Sequence, residues 1–393
     1  MKQAIIALSV VLVVLLAVAG VLLFGLDGMA SDETLMTTEE TAPVTLPPVT
    51  EPTQPATEAT TEPVPVLQPC VAAYVLDGTA LEAYTLDGTD VVSATEFLRA
   101  AGLDAAGSAH ATDKAKVQLA DASVTIGAAT FDTVVDGTLY VPVAAAAEAM
   151  GYPAYALDGT TYYTPGARKF TPTPGINVPV LMYHAVSDDL WGIDELFVSP
   201  SSMEEQLKYL TENGYDAIWF EDLAHLEDYD KPVILTFDDG YDDNYIELLP
   251  LLQKYNVKAT VFVIGNAPGV IPHKATPEQV REMSDSGLIS IQSHGYTHDD
   301  MDAMDADTTD YELSESQKAI TRITGKVPYV LCYPTGKYNE NTLSIIGTYY
   351  NFGIKMVGGQ YNTSDDPYLV NRFYVSRYTD IYTFASYLSA AGT

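Results

Sequence analysis

The chain of 393 residues carries 53 acidic against 19 basic residues, a formal net charge of −34. It offers no basic stripe to neutralise phosphates, which argues against nucleic acid as a partner. Its two cysteines, Cys70 and Cys332, support neither a disulfide scaffold nor a Cys-rich zinc site, so any metal must be held by histidine and carboxylate.

At the N-terminus Lys2 precedes a nearly unbroken apolar run from Ala4 to Phe24. That run is long enough to span a bilayer and exceeds the ~7–15-residue core of a cleaved signal. Positive charge before it, with Asp27, Asp32 and Glu33 after it, orients the body outward. Residues 1–30 therefore predict a signal anchor, and with it a single-pass cell-membrane protein whose body is extracytoplasmic. A cleaved signal ending near Ala30, giving a secreted protein, is the alternative. Residues 31–70 are rich in Thr, Pro and Glu with few large apolar side chains, and predict a disordered, extended stalk. Cys70 at its end reads as a free thiol.

Residues 71–165 predict a small α+β module. Asp-Gly recurs in LDGT at 76–79 and 86–89, VDGT at 135–138 and LDGT at 157–160, each between short β-rich runs, the strongest short-range hairpin signal. Two helical patterns, SATEFLRAAG and PVAAAAEAMG, close on glycines suited to a left-handed cap. The stretch from Val134 to Pro165 resembles the N-terminal domain of copper amine oxidases, a module of bacterial surface proteins. The resemblance implies no copper or amine chemistry. His110, the one histidine there, belongs to no constellation.

From residue 175 to 393 apolar strand candidates (VPVLMYH, YDAIWF, PVILTF, KATVFVI, LISIQS, YVLCYP, FGIKMV, FYVSRY) alternate with helical segments. In the first of these, Ser201 and Ser202 stand three residues before Glu204 and Glu205 in the manner of a capping box, and Gly214 stops the helix. Such alternation implies a parallel sheet with crossover helices, barrel or open, with chemistry just beyond the C-terminal strand ends.

Asp238 and Asp239 take that position after PVILTF, and Gly240 lets the backbone turn at once. Adjacent carboxylates at a buried strand end repel each other, so a cation or a shared proton is expected. SHGYTH sets His294 and His298 four apart after LISIQS. Two imidazoles and a carboxylate give three ligands with a fourth position open to water, the arrangement of a metal-dependent hydrolase. Asp242 and Asp243, beyond the glycine, read as first-turn carboxylates of a helix in DDNYIELLPLL.

TFDDGY, SHGYTH and YPTGKYN, with PVLMYHAV and YLVNRFYVSRYTD, resemble the polysaccharide deacetylase family (the NodB homology domain, carbohydrate esterase family 4) from about Pro179 onward. The Tyr-His opening and the Tyr-Pro-x-Gly third motif are most similar to the poly-N-acetylglucosamine deacetylase branch. The resemblance implies an α/β fold, a distorted (β/α) barrel, here following the α+β module, the stalk and one transmembrane helix. It also implies divalent-metal-dependent removal of acetyl groups from a glycan. Carried over by position, Asp238 is the general base for the attacking water, and Asp239, His294 and His298 hold one divalent ion, Zn²⁺ ahead of Co²⁺ or Ni²⁺. His184 is the acid for the departing amine. Tyr333 offers a backbone amide to the oxyanion and lines the sugar cleft, and Arg372 orients Asp238 in place of the arginine missing from the third motif. Gly295 replaces the usual hydroxyl residue, and Cys332 stands as a buried small side chain. His225 and His273 fall outside the motifs and read as loop residues.

The expected function is hydrolysis of N-acetyl groups on N-acetylglucosamine units of a cell-wall or surface polysaccharide by an enzyme tethered to the membrane. Three alternatives stand beside it: an inactive surface glycan-binding protein, an O-acetyl esterase of the xylan type, and a non-haem iron oxygenase. The last leaves the second adjacent aspartate without a task.

Overall fold

The computed structural model describes residues 66–103, 117–120 and 122–389. The anchor expected at 1–30, nearly all of the stalk and His110 lie outside them. Among the described residues no helix is long and apolar enough to cross a membrane.

Eight strands form one sheet: β1 (Val180–Tyr183), β2 (Asp216–Ala217), β3 (Pro232–Phe237), β4 (Ala259–Val263), β5 (Ile289–Ser293), β6 (Val330–Cys332), β7 (Phe352–Ile354) and β8 (Phe373–Tyr374). Their order is β7-β6-β5-β4-β3-β1-β8, with β2 beside the start of β3, and every pairing is parallel. The sheet is curled. Val370 bridges Ile354 of β7, and a few residues later Phe373 pairs with Leu181 of β1, so one segment ties both edges together.

Crossover helices follow the strands: α1 (Pro200–Glu212), α2 (Leu249–Tyr255), α3 (Pro277–Asp285), α4 (Ala306–Thr324), α5 (Glu340–Tyr349) and α6 (Ile381–Ser389). Because side chains alternate along a strand, each strand feeds two cores. Leu181, Tyr183, Val233, Leu235 and Phe237 pack with Met203 and Leu207 of α1. Val180, Ile234, Phe262 and Cys332 fill the interior with Phe352 and Val370.

Two local expectations are corrected. The N-cap of α1 is Ser199, whose hydroxyl accepts from Ser202 N, and Pro200 takes the first turn, where its missing N–H costs nothing. The helix expected from DDNYIELLPLL opens as a π turn over Asn244–Leu248, and α2 begins only at Leu249. Pro250 has no N–H to return to the carbonyl four residues back, so the ordinary helical register is interrupted there.

The module of residues 71–165 has its own core around Phe97, Leu98, Val124, Val141 and Met150. At all four Asp-Gly turns both residues have positive φ, 43–51° for Asp and 78–87° for Gly, as two-residue hairpins of this kind require. Module and sheet lie in one compact unit. Gly78 at a hairpin tip meets Gly325 at the end of α4 so closely that a Cβ on Gly325 would lie 2.8 Å from Gly78 Cα. Arg281 donates to the Gly78 carbonyl (2.9 Å), and Arg322 pairs with Asp158 (2.7 Å). A cavity of about 90 Å³ beside this contact is lined by Asp77, Thr164, Arg168, Glu221, Ile289 and Tyr329. Ile289 opens β5 and Tyr329 precedes β6, so the module seats at the N-terminal ends of the strands.

Candidate active site

The opposite strand ends gather the polar residues. β3 delivers Asp238 and Asp239, and Asp239 has a φ of 77°, a left-handed conformation that costs a non-glycine residue on the order of 1–3 kcal/mol. Gly240 follows at φ 62°, and a Cβ there would press within 3.1 Å of the Val263 side chain of β4. β5 continues its ladder one step to His294, whose N–H donates to the Val263 carbonyl (2.9 Å). The chain then turns through Gly295 at φ 74° to His298 at φ 70°.

These turns converge on one point. Asp239 Oδ1 lies 3.4 Å from His294 Nε2 and 3.4 Å from His298 Nε2. Ligands of a tetrahedral ion with bonds of ~2.0–2.1 Å stand about 3.3–3.4 Å apart, so the two histidine-to-carboxylate separations fit a zinc-sized ion. Burial pushes the Asp239 carboxyl up, but hydrogen bonds to His294 and His298 and the charges of His294 and Lys274 hold it well below the usual carboxylate range. An anionic ligand is thereby available. His294 Nδ1 lies 2.8 Å from the Cys332 carbonyl, which aims Nε2 at the site.

Asp238 is held differently. Arg372 donates from Nη1 to Oδ1 (2.7 Å) and from Nη2 to Oδ2 (2.8 Å). Arg372 is 1% exposed, and it also donates to the Lys355 carbonyl and the Thr236 hydroxyl. Burial raises the Asp238 carboxyl, and the charge and hydrogen bonds of Arg372 bring it below its ordinary value. Asp238, His294 and Cys332 also come within metal-ligand distance of one another. Arg372, however, donates to both oxygens of Asp238 and to Cys332 Sγ (3.2 Å), so an ion held by that second set would lie against a buried cation, which disfavours it.

His184 Nε2 lies 3.9 Å from Asp238 Oδ2, and its ring stands edge-on to Tyr374. Burial lowers its pKa below the ordinary 6.5 against the opposing charge of Asp238, which favours the neutral imidazole. Nδ1 is buried without a hydrogen-bond partner.

Tyr333 departs from its expected role. Its N–H donates to the Ile354 carbonyl (3.1 Å), its hydroxyl donates to the Tyr368 carbonyl (2.8 Å), and the side chain is buried at 1% exposure. The amide belongs to the β6–β7 edge and the ring to the core, so Tyr333 neither presents a free donor nor lines a cleft. Thr335, two residues on, takes a left-handed φ of 55° in the turn Pro334–Gly336.

Asp243 is also corrected. It is 6% exposed, and its Oδ1 accepts from Val186 N (3.1 Å) and from Asn244 Nδ2 (2.9 Å), while Asn244 Nδ2 also donates to the His184 carbonyl (3.1 Å). The pair ties down the chain on both sides of Ala185. Sequence reasoning also missed Lys274, whose Nζ lies 3.6 Å from Asp239 Oδ2 and 3.4 Å from the centre of the Tyr241 ring. Nothing in the loop IPHKATPE marks that lysine, because its backbone bridge to Tyr241 is a long-range contact. His273, beside it, stacks on Trp191 with ring centres 4.2 Å apart at the rim.

A protein-family profile described as Polysaccharide deacetylase matches residues 225–351. YxkH of Bacillus subtilis (strain 168), a protein described as a polysaccharide deacetylase, is 32% identical over 219 residues, 54% of this chain and 76% of that one. A poly-β-1,6-N-acetyl-D-glucosamine N-deacetylase of Staphylococcus aureus (strain MRSA252) is 27% identical over 201 residues, 46% of this chain and 68% of that one. Among solved structures BC0361, a polysaccharide deacetylase from Bacillus cereus, aligns with a TM-score of 0.51 at 32% identity, over 55% of this chain and 69% of that one. These matches lend no support to the likeness between the module and copper amine oxidase N-terminal domains.

Proposed function

The chain belongs to the polysaccharide deacetylase family, and on that premise we propose that it hydrolyses N-acetyl groups on N-acetylglucosamine units of a cell-wall or surface polysaccharide, with zinc as its ion. The observation that carries this reading is the pairing of an Asp239–His294–His298 ligand set with an adjacent carboxylate, Asp238, whose two oxygens are held by Arg372.

Asp239, His294 and His298 would hold the ion, which when bound supplies a Lewis acid for the amide carbonyl and acidifies water at the open position. Asp238, anionic and fixed in orientation, accepts the proton of the attacking water. His184, neutral at rest, stands 3.9 Å from Asp238 Oδ2, so it takes that proton through one bridging water and passes it to the nitrogen as the C–N bond breaks. Acetate and a free amine are the products. With the Tyr333 amide committed to the sheet, and Gly336 N and Lys337 N donating within the turn that follows, the ion itself would be the group that stabilises the oxyanion.

The choice of N-acetylglucosamine rests on the Tyr183-His184 pair and the Tyr333-Pro334-x-Gly336 motif, together with the staphylococcal relative. For location, the apolar run from Ala4 to Phe24 supports a membrane tether with the catalytic body outside the cytoplasm. Acetate release from a panel containing poly-N-acetylglucosamine, peptidoglycan and O-acetylated xylan tests the substrate. Release from xylan alone would replace this reading with an O-acetyl esterase.

A further inference from the structure

α4 turns one face to the core, and among the apolar and hydroxyl residues of that face stands a carboxylate, Glu312, only 4% exposed. A buried carboxylate is costly unless donors compensate it. Here they come from the loop between the two histidines. Glu312 Oε2 accepts from Tyr296 N and from Thr297 N, both at 3.0 Å, and Oε1 accepts from the Thr297 hydroxyl at 2.9 Å. A second link from the same helix runs through Ser316, whose hydroxyl bonds that of Ser293, which in turn accepts from Gly295 N (3.2 Å).

The two histidines need this support unequally. His294 continues the β5 ladder and has Nδ1 fixed by the Cys332 carbonyl. His298 has a side chain 34% exposed and a left-handed backbone, so its position depends on the path of residues 295–297. Gly295 contributes no side chain to that path. A Cβ there would lie 3.1 Å from Pro334 Cγ and 3.4 Å from Met301 Cε, at a φ of 74° that disfavours any L side chain.

We propose that Glu312 is a positioning residue that pre-forms the metal site, pinning residues 296 and 297 so that His298 faces Asp239 and His294 before any ion arrives. The inference rests on the reading that Asp239, His294 and His298 hold the ion. Hydrogen-bonded groups behind metal ligands typically govern affinity by 10–100-fold.

The test is zinc affinity of the full chain, by competition with a chromophoric chelator, for wild type, Glu312→Ala and Glu312→Gln, with melting of each metal-free protein alongside. Glu312→Ala should weaken zinc binding about 10–100-fold. Glu312→Gln keeps one oxygen for the two backbone donors and should recover most of that loss. Zinc binding by Glu312→Ala within about twofold of wild type overturns the inference and leaves the metal reading intact. Equal losses in the two variants also overturn it, since they would assign the effect to charge. A wild type that binds no zinc removes both. Should Glu312→Ala fail to fold, Glu312→Asp, which keeps the charge but sets the carboxylate one methylene short of Tyr296 N and Thr297 N, decides: weakened zinc binding supports the inference and unchanged binding overturns it.

Discussion

Arg372, a residue before β8 at one edge of the sheet order, grips both carboxylate oxygens of Asp238 at the end of β3, at 2.7 and 2.8 Å. The two stand 134 residues apart in the chain and are both buried. This contact makes the two adjacent aspartates different: Asp238 is bound by a buried guanidinium and Asp239 is not, and the proposed roles of base and metal ligand follow that division.

Replacing Arg372 with Met should therefore do more than remove a contact. It leaves Asp238 buried and unpaired, and breaking such a pair costs about 3–5 kcal/mol. Denaturant unfolding should show that loss, and acetate release should fall with it because the carboxyl then favours its protonated form.

Asp238→Asn should bind zinc as the wild type does while losing about 10²–10⁴-fold in kcat, the usual span for a general base. His294→Ala should lose both zinc and turnover, read from metal content after gel filtration. If Asp238→Asn loses the metal, the roles of the two aspartates are reversed.

Stability should fall as pH rises through the range below neutrality. Burial pushes the Asp243 carboxyl up to about 7, well above its value in the unfolded chain. Between the unfolded and folded pKa values the native state binds the extra proton, so its contribution is complete at acid pH and is lost as pH rises to about 7. Melting of metal-free protein between pH 5 and 8 should show this decline, and Asp243→Asn, which keeps an oxygen for Val186 N, should flatten it. A slope unchanged in the variant would assign the decline to other groups.

The contact between module and sheet should matter for stability and not for chemistry. Gly325→Ala forces a Cβ to 2.8 Å from Gly78 Cα, whereas Gly88→Ala, at another left-handed turn, meets nothing within 4 Å. Both incur backbone strain of about 1 kcal/mol or more, and only the first adds a backbone clash. Gly325→Ala should thus melt at lower temperature than Gly88→Ala, with kcat on a short acetylated oligosaccharide unchanged in both.

Much of this was legible in the sequence, for identifiable reasons. Strands buried on both faces read as continuous apolar runs, and Asp-Gly admits few conformations, so the parallel sheet and the four hairpins could be placed from local pattern. Asp238, Asp239, His294 and His298 could be found because each lies just past a strand end. Long-range packing was not legible. The Tyr333 amide was assigned to the oxyanion because nothing local shows that it completes a ladder with Ile354. Asp243 reads as a first-turn helix carboxylate because its partner, Val186, lies 57 residues away. Glu312 did leave a trace, as a carboxylate on the helix face shared by Thr309, Leu313, Ser316 and Ile320, although its partners lie outside that helix.

The central claim is that this chain is a metal-dependent deacetylase, and acetate release from poly-N-acetylglucosamine before and after chelation tests it most directly. Release should be abolished when the ion is stripped and restored when Zn²⁺ is added back, with no recovery in His294→Ala. Acetate release that is indifferent to chelation, or equal in wild type and His294→Ala, would contradict the account.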